Sequence, residues 1–183
     1  ESCQRIKYMF PRAHAVAYVM MSYRIAWFKV YYPVPFYAAY FTTKVADFNS
    51  EVVLKGSGAI LARIDEILAK GKNATKKEED EMTVLEVAYE MYSRGYEFEP
   101  INFGVSDGTK FYEHEGRVLL PFMAVSGIGE TAAKALADEC RIRPFETIEE
   151  LKSRTRISNS NIESLKAMGV LEGMPETDQL SMF

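Results

Sequence analysis

The stretch that decides the fold of the C-terminal part of this sequence is Phe122-Met123-Ala124-Val125-Ser126-Gly127-Ile128-Gly129-Glu130-Thr131-Ala132-Ala133-Lys134-Ala135-Leu136. The two glycines allow the backbone to turn tightly and to come close to a ligand. Ile128 between them is expected to anchor the turn in the core. Unpaired N–H groups at the start of the following helix would form an anion site. The stretch therefore predicts a phosphate-binding hairpin between two helices, with an ordinary glycine turn as the alternative.

This arrangement resembles the helix-hairpin-helix motif, which holds a DNA phosphate without reading a base. Lys134 lies one turn into the second helix, where it adds a positive charge for the same strand. The candidate DNA-backbone-binding residues are Ser126, Gly127, Ile128, Gly129 and Lys134.

A second, degenerate copy is predicted between residues 145 and 169. Thr147 is expected to cap a short helix, with Glu150 at the capping-box position. Residues 158–161 then precede a helix that ends at Gly169. This copy lacks Gly-x-Gly, so we expect it to support the first by packing, with at most a weaker phosphate contact. Local positive charge for the DNA backbone comes from Arg141, Arg143, Lys152, Arg154 and Arg156.

The most apolar stretch lies upstream, at residues 12–32, behind Pro11, which suits the first turn of a helix. A membrane span is excluded, because charged residues and His14 leave at most nine consecutive uncharged positions where about 20 are needed. At 100° per residue, one polar stripe contains His14, Tyr18, Ser22 and Lys29. The rest of the circumference is largely apolar, which is typical of a helix buried in a larger protein.

The middle of the chain predicts further helices and one hairpin. After a second aromatic segment at 36–43 and a weak point at 55–58, an amphipathic helix carries Ile60, Ile64, Ile67 and Leu68 on its buried face. A linker follows at 71–74. Thr75 and Glu78 then have capping-box spacing, and the buried face of the helix that they open is predicted to hold Leu85, Ala88, Tyr89 and Tyr92. Residues 110–120 predict a β-hairpin that turns at Glu115-Gly116, with a solvent-facing His114. The fold class is therefore mainly α with a small β-hairpin (α+β).

Charge and aromatic residues are unevenly distributed along the 183 residues, whose net charge is -4. Residues 1–44 hold six basic side chains against the single acid Glu1, and 12 of the 23 aromatic residues. The remainder carries -9. With 48% hydrophobic residues the chain is not intrinsically disordered.

The two cysteines, Cys3 and Cys140, belong to no metal-ligand or disulfide pattern, so we expect a reducing setting and no zinc site. The acidic run at 78–81 is typical of a solvated helix start rather than a metal site. The chain opens with neither Met nor a secretory signal, so we expect a piece of a longer protein.

The last residues follow a loop-like segment and read Gln179-Leu180-Ser181-Met182-Phe183. Apolar anchors and a glutamine on a polar tail are typical of a short peptide that enters a pocket on another protein. This pentapeptide resembles the bacterial sliding-clamp-binding motif, with Met182 in place of the usual leucine.

The whole sequence is similar to the bacterial C-family replicative DNA polymerases, and in particular to the PolC type of DNA polymerase III alpha subunit. The resemblance runs in the family's order through Lys7 to Tyr18, Arg24 to Lys29, Tyr40 to Thr42, Thr83 to Glu86, Arg94-Gly95 and the terminal peptide. It implies four parts: the end of the polymerase fingers (1–48), a helical segment plus β-hairpin of the duplex-binding region (49–121), tandem helix-hairpin-helix units (122–175) and a clamp-binding tail (176–183).

The family transfers nucleotides with two Mg²⁺ ions held by palm aspartates. The resemblance places these aspartates outside this sequence, so no catalytic or metal residue is assigned here and the chain alone is expected to be inactive. The candidate nucleotide- or template-facing residues are Lys7, Arg12, His14, Tyr18 and Lys29, although His14 and Tyr18 could instead make only internal hydrogen bonds. The implied partners are primer-template duplex DNA, a dNTP and the sliding clamp, in the bacterial cytoplasm (nucleoid or replisome) and without a membrane. A stand-alone helix-hairpin-helix DNA-binding or repair accessory module, and a protein-interaction domain using only the tail, are the alternatives.

Overall fold

Prolines set the limits of the first two helices. The structure, a computed structural model, describes residues 11–155 and 157–177. Helix α1 spans Arg12–Tyr31 directly after Pro11, and helix α2 spans Pro33–Thr43. Pro35 lies inside the first turn of α2, where the missing N–H would have had no helical acceptor. The predicted helix is therefore confirmed, and the aromatic segment after it is helical.

Helix α1 is exposed along its whole length, and no residue of it is buried by the described part of the chain. The apolar side chains around α1 were expected to be buried, but the described residues leave them exposed. Tyr23, for example, is 78% exposed. Only its C-terminal end is fixed. There the ammonium of Lys29 lies 2.7 Å from a carboxylate oxygen of Glu90, and the guanidinium of Arg94 donates to the Lys29 carbonyl.

The next three helices form a helical layer beside α2. Helix α3 spans Ser50–Val53, α4 spans Ser57–Lys70 and α5 spans Lys76–Ser93. Single 3-10 turns at Val45–Asp47 and Gly71–Asn73 precede α3 and α5. The predicted break falls at Gly56, whose φ of +92° lies in the region that favours glycine.

The contact between α4 and α5 buries Ile60, Ile64 and Ile67, as predicted, but Leu68 remains 58% exposed. Leu68 is rotated about 80° from Ile60 around the helix axis, beyond the stripe that α5 covers. On α5, Leu85 and Ala88 are buried, whereas Tyr89 and Tyr92 are only half-buried.

A capping box begins α5, as predicted. The Thr75 hydroxyl accepts from the Glu78 N–H, and the Glu78 carboxylate accepts from the Thr75 N–H at 2.9 Å. A further acid of this run, Glu81, is turned inwards and only 8% exposed. Its two oxygens accept from Arg63 at 3.1 and 2.9 Å and from Asn49 at 2.7 Å. The buried charge is therefore paired, as such burial requires.

The predicted β-hairpin is present and gains a third strand. Strand β1 spans Phe98–Glu99, β2 Tyr112–His114 and β3 Arg117–Leu119, in the spatial order β1-β3-β2. Strands β2 and β3 are antiparallel, and β1 pairs parallel with β3. The turn is at Glu115 and Gly116, with φ of +48° and +77°.

His114 is only partly exposed to solvent, because β1 brings the Glu99 carboxylate to 2.8 Å from its Nδ1. The two-residue strand β1 is too short to give a periodic signal in the sequence.

Aromatic rings join the sheet to the helical layer. Phe41 of α2 lies 5.0 Å from Phe98, and Phe48 lies 4.9 Å from Phe111, measured between ring centroids. These contacts connect residues from both sides of position 48, so the two parts that the resemblance distinguishes share one core.

The C-terminal part consists of α6 (Glu130–Ile142), α7 (Ile148–Thr155) and α8 (Asn159–Ala167). Thr147 caps α7 as predicted, since its hydroxyl accepts from the Glu150 N–H at 3.1 Å. The reciprocal half of the predicted box differs: the Glu150 carboxylate accepts from the N–H of Glu146, not of Thr147. The mainly helical α+β class is confirmed, and among the described residues no helix is sufficiently long and apolar to span a membrane.

Candidate nucleic-acid interface

The segment that leads into the glycine hairpin is a single 3-10 turn, Phe122–Ala124, rather than a regular helix. Phe122 is fully buried. The N–H groups of Phe122 and Met123 donate to the carbonyls of Asp107 and Gly108, at 3.0 and 2.9 Å. The loop before the sheet hairpin thus fixes the start of the glycine hairpin to the core.

The glycine hairpin itself turns at Gly127, whose φ is +83°. The Ile128 N–H donates to the Val125 carbonyl at 3.1 Å and closes the turn. Ile128 is only 5% exposed, as predicted for the anchor of the hairpin, while Ser126, Gly127 and Gly129 face solvent.

Helix α6 begins with unpaired backbone donors. Gly129 is its N-cap residue, and glycine offers no side chain to accept a hydrogen bond from the first turn. The first bond of the helix runs from the Ala133 N–H to the Gly129 carbonyl, so the N–H groups of Glu130, Thr131 and Ala132 have no acceptor within the helix. Because the macrodipole places partial positive charge at the same point, this end of α6 suits an anion.

Lys134 lies one turn further along the exposed face of α6. Its ammonium is 2.5 Å from a carboxylate oxygen of Glu130, four residues earlier, and both side chains are more than half exposed. Such an exposed pair contributes little to stability. A phosphate can therefore compete with Glu130 for Lys134.

The hairpin also borders a groove of about 370 Å³ between residues 45–51 and 123–128, and Ser126, Gly127 and Ile128 form part of its lining. Asp47, Glu51 and Glu81 line it, with Lys77 as the one lysine of its lining. Arg63 pairs with Glu81, but Asp47 and Glu51 still outnumber Lys77, so the groove suits a phosphate less well than the start of α6 beside Lys134.

The second, degenerate copy supports the hairpin by direct contact. Asn161, in the first turn of α8, donates from its amide to the Ser126 carbonyl at 3.1 Å and is itself 8% exposed. The sequence does not indicate this role of Asn161, because the second copy has no Gly-x-Gly and the residue spacing gives no other signal.

Gly108 was also missed by sequence reasoning. A Cβ atom at this position would lie 2.9 Å from the Lys134 Cα and 3.0 Å from the Ala133 carbonyl oxygen. The loop therefore packs against the backbone of α6 at a distance that only glycine permits.

The basic residues around α6 and α7 are largely engaged in ion pairs. Arg141 contacts Asp107 and Asp138, and Arg143 contacts Glu150. Arg154 donates to the carboxylate of Glu139 and lies 4.5 Å from the centre of the Phe145 ring. Arg154 is thus a structural residue, while Arg156 lies outside the described residues.

The fingers candidates occupy separate positions on α1. Arg12, His14 and Tyr18 are exposed near its N-terminal end, where the His14 and Tyr18 rings meet edge to face with centroids 4.4 Å apart. Lys29 is at the other end in the ion pair with Glu90. That carboxylate also accepts from the Tyr37 hydroxyl at 2.8 Å, and burial together with this bond raises the pKa of Tyr37 to about 12.

Several predicted site residues lie outside the described residues: Lys7 of the fingers candidates and Gln179, Leu180, Ser181, Met182 and Phe183 of the tail.

Among residues 11–155 and 157–177, no cluster of three or more His, Cys, Asp or Glu side chains could hold a metal ion. Cys140 is buried in α6, and this burial raises the pKa of its thiol to about 11.

The glycine hairpin and its flanking helices define the class of this region: residues 95–180 match the family model described as "Helix-hairpin-helix motif". Relatives extend the match to the whole chain. It is 53% identical over 183 residues to DNA polymerase III PolC-type of Caldanaerobacter subterraneus subsp. tengcongensis, 46% over 184 residues to that of Clostridium perfringens, and 42% over 183 residues to that of Bacillus subtilis.

Each of these alignments covers 100% of the present chain, which spans about 13% of the length of the curated relatives. The chain is therefore a relative of the PolC-type DNA polymerase III proteins from its first residue to its last, and the resemblance inferred from the sequence is confirmed.

Proposed function

We propose that this chain is part of a DNA-directed DNA polymerase of replication, and that its helix-hairpin-helix region holds the backbone of duplex primer-template DNA. The observation that carries this proposal is the N-terminus of α6. Its unpaired N–H groups follow Gly129, where an added Cβ would meet no heavy atom within 4 Å apart from the two chain neighbours. Gly129 therefore places no side chain of its own between a phosphate oxygen and this backbone, and no base edge needs to be read.

The position of the hairpin explains how an acidic chain binds a polyanion. The chain carries -4 overall, yet binding at backbone amides needs few formal positive charges. Lys134 supplies one, and the acids of the groove beside the hairpin disfavour a phosphate there. Binding is therefore expected to be local, independent of base sequence and weakened by salt.

A salt titration of duplex binding tests the proposal. The 183-residue chain is titrated into a fluorescently labelled duplex of about 20 base pairs at several salt concentrations, and each neutralised phosphate adds about 0.9 to the slope of log affinity against log salt. Lys134→Ala should reduce the slope by about one phosphate, whereas Lys72→Ala, an exposed lysine in the turn between α4 and α5, should leave it unchanged. Affinity that does not respond to salt would contradict the proposal.

The tail is proposed to bind the sliding clamp. This proposal is supported by the residues Gln179-Leu180-Ser181-Met182-Phe183 at the end of the sequence. Deletion of Leu180 to Phe183 should abolish binding to a purified bacterial sliding clamp and leave duplex affinity nearly unchanged. A peptide of residues 176–183, compared with a scrambled peptide of the same composition, separates specific from nonspecific binding. Equal loss of clamp and duplex binding would contradict this division of roles.

The exposed end of α1 is proposed to contribute to the nucleotide or template site of the longer polymerase, through Arg12, His14 and Tyr18 together with Lys7. Support comes from the His14 and Tyr18 rings, which meet on one side of this helix, and from the similarity of the relatives across the helix. For Lys29 the proposal requires that the ion pair with Glu90 open. The Mg²⁺ ions and the dNTP are proposed to bind to parts of the polymerase outside these residues. The polymerase is proposed to act in the bacterial replisome.

A stand-alone accessory module is the weaker candidate. Nothing in such a module needs α1, whose apolar side chains the described residues leave exposed. The PolC-type relatives, in contrast, align through this helix.

A further inference from the structure

We infer that Asn161 is the positioning residue of the DNA-binding hairpin: its side-chain amide holds the Ser126–Gly127 backbone in the geometry that presents the α6 amides to a phosphate. This inference rests on the proposed function, because it concerns binding of duplex DNA by the same hairpin.

The hydrogen bond from Asn161 is made to the exposed part of the hairpin. Its Nδ2 donates to the Ser126 carbonyl at 3.1 Å, immediately before the residue with φ of +83°. On the other side of that turn, Ile128 is held by its own burial and by the bond to Val125. Asn161 therefore fixes the half of the turn that the core does not.

The orientation of the Asn161 amide is itself determined by a neighbour. Ser158 is the N-cap of α8, and its hydroxyl accepts from the Asn161 N–H at 3.2 Å. The same hydroxyl lies 2.5 Å from the Asn161 Oδ1, to which it donates. With Oδ1 bound to Ser158, the amide nitrogen is directed at the hairpin.

The hairpin is also in close steric contact with Asn161. A Cβ atom at Gly127 would lie 2.9 Å from Nδ2. Because the Asn161 side chain is buried while Ser126 and Gly127 are exposed, this contact lies at the edge of the core. The second, degenerate copy thus acts through the first, and its α8 needs no phosphate contact of its own.

Duplex titrations of the 183-residue chain at fixed low salt test the inference, with thermal unfolding of every variant measured alongside. Asn161→Ala should weaken duplex binding about fivefold, the order expected for one neutral hydrogen bond. Asn161→Asp should weaken it further, since a carboxylate cannot donate to the Ser126 carbonyl and adds negative charge beside the phosphate. Asn161→Ala should retain the salt slope of the wild type, because it changes no charge.

Asn159→Asp is the matched control. Asn159 lies two residues earlier on α8 and is exposed, and this substitution adds the same charge. It should bind duplex within about twofold of the wild type. If Asn161→Ala binds as tightly as the wild type, or if both aspartate variants lose affinity equally, Asn161 does not position the hairpin.

Stability separates positioning from a general structural role. The double variant Asn161→Ala, Lys134→Ala should show both the loss of affinity and the reduced salt slope. Its thermal unfolding curve should show that the chain is folded at the temperature of the titration. An affinity loss found only at temperatures where the variant unfolds would overturn the inference. If the wild-type chain itself shows no salt-dependent binding, the proposed function fails. If the wild type binds and the Asn161 variants bind equally well, only the inference about Asn161 fails.

Discussion

Alanine substitutions at Gly127 and Gly129 should have opposite consequences, although the two glycines are separated by one residue. At Gly127 the backbone has φ of +83°, a region that costs an L-residue about 1–2 kcal/mol. The added Cβ would also lie 2.9 Å from Asn161 Nδ2 and displace a hydrogen bond worth about 1 kcal/mol. Gly127→Ala should therefore lower the free energy of unfolding by about 2–3 kcal/mol.

Gly129 differs in both respects. Its φ of -75° and ψ of 164° suit any residue, and a Cβ there has no heavy atom within 4 Å. Gly129→Ala should cost only about 0.5 kcal/mol, the difference between glycine and alanine at an N-cap. Its methyl group would instead occupy the space in front of the α6 amides, so duplex affinity should fall about tenfold in a chain of nearly wild-type stability.

Equilibrium urea unfolding and duplex titration of both variants measure these effects side by side. Fluorescence of Trp27 is unsuited to the unfolding curve because that residue is on the exposed helix α1, so far-ultraviolet circular dichroism is the appropriate signal. Equal destabilisation by both variants would refute the assigned turn geometry. Full duplex affinity of Gly129→Ala would refute the assignment of the phosphate to the start of α6.

Two further predictions concern the scaffold beneath the hairpin. Gly108→Ala should destabilise the chain by about 2 kcal/mol in urea unfolding, because its Cβ would meet the backbone of α6, whereas Gly104→Ala meets only an ordinary contact at 3.6 Å and should be nearly neutral. Glu81→Gln should lower the free energy of unfolding at pH 7 by about 2 kcal/mol, since Arg63 loses a buried charged partner. Burial raises the pKa of Glu81, but the bonds from Arg63 and other donors outweigh it and leave the pKa below its ordinary 4.5. Its stabilisation is thus complete above about pH 4.5 and lost as the pH falls through the lower folded value, so the variant should lose less stability than the wild type on acidification; parallel pH curves would contradict this reading.

Local signals made much of the fold predictable. Proline at a helix start, the reciprocal bonds of Thr75 and Glu78, and the Glu115-Gly116 turn act within a few residues, so each was recognisable from its own sequence. The exposure of Leu68 and the contact of His114 with Glu99 were not predicted, for the opposite reason. Whether α5 covers one more side chain, and whether Glu99 of β1 reaches His114 across β3, depends on elements elsewhere in the chain.

The sequence by itself determined that a glycine hairpin precedes an alanine-rich helix, and its similarity to the C-family polymerases identified the chain's relatives. Glycine tolerates a positive φ, and the first turn of a helix has unpaired N–H groups, whatever surrounds the segment. Only the tertiary structure decided what holds that hairpin in place and which residues surround it. Asn161 is 35 residues from the carbonyl it binds, Gly108 meets a helix that begins beyond the sheet, and the acidic groove combines two distant segments. Such contacts arise from packing between segments, which no local pattern specifies.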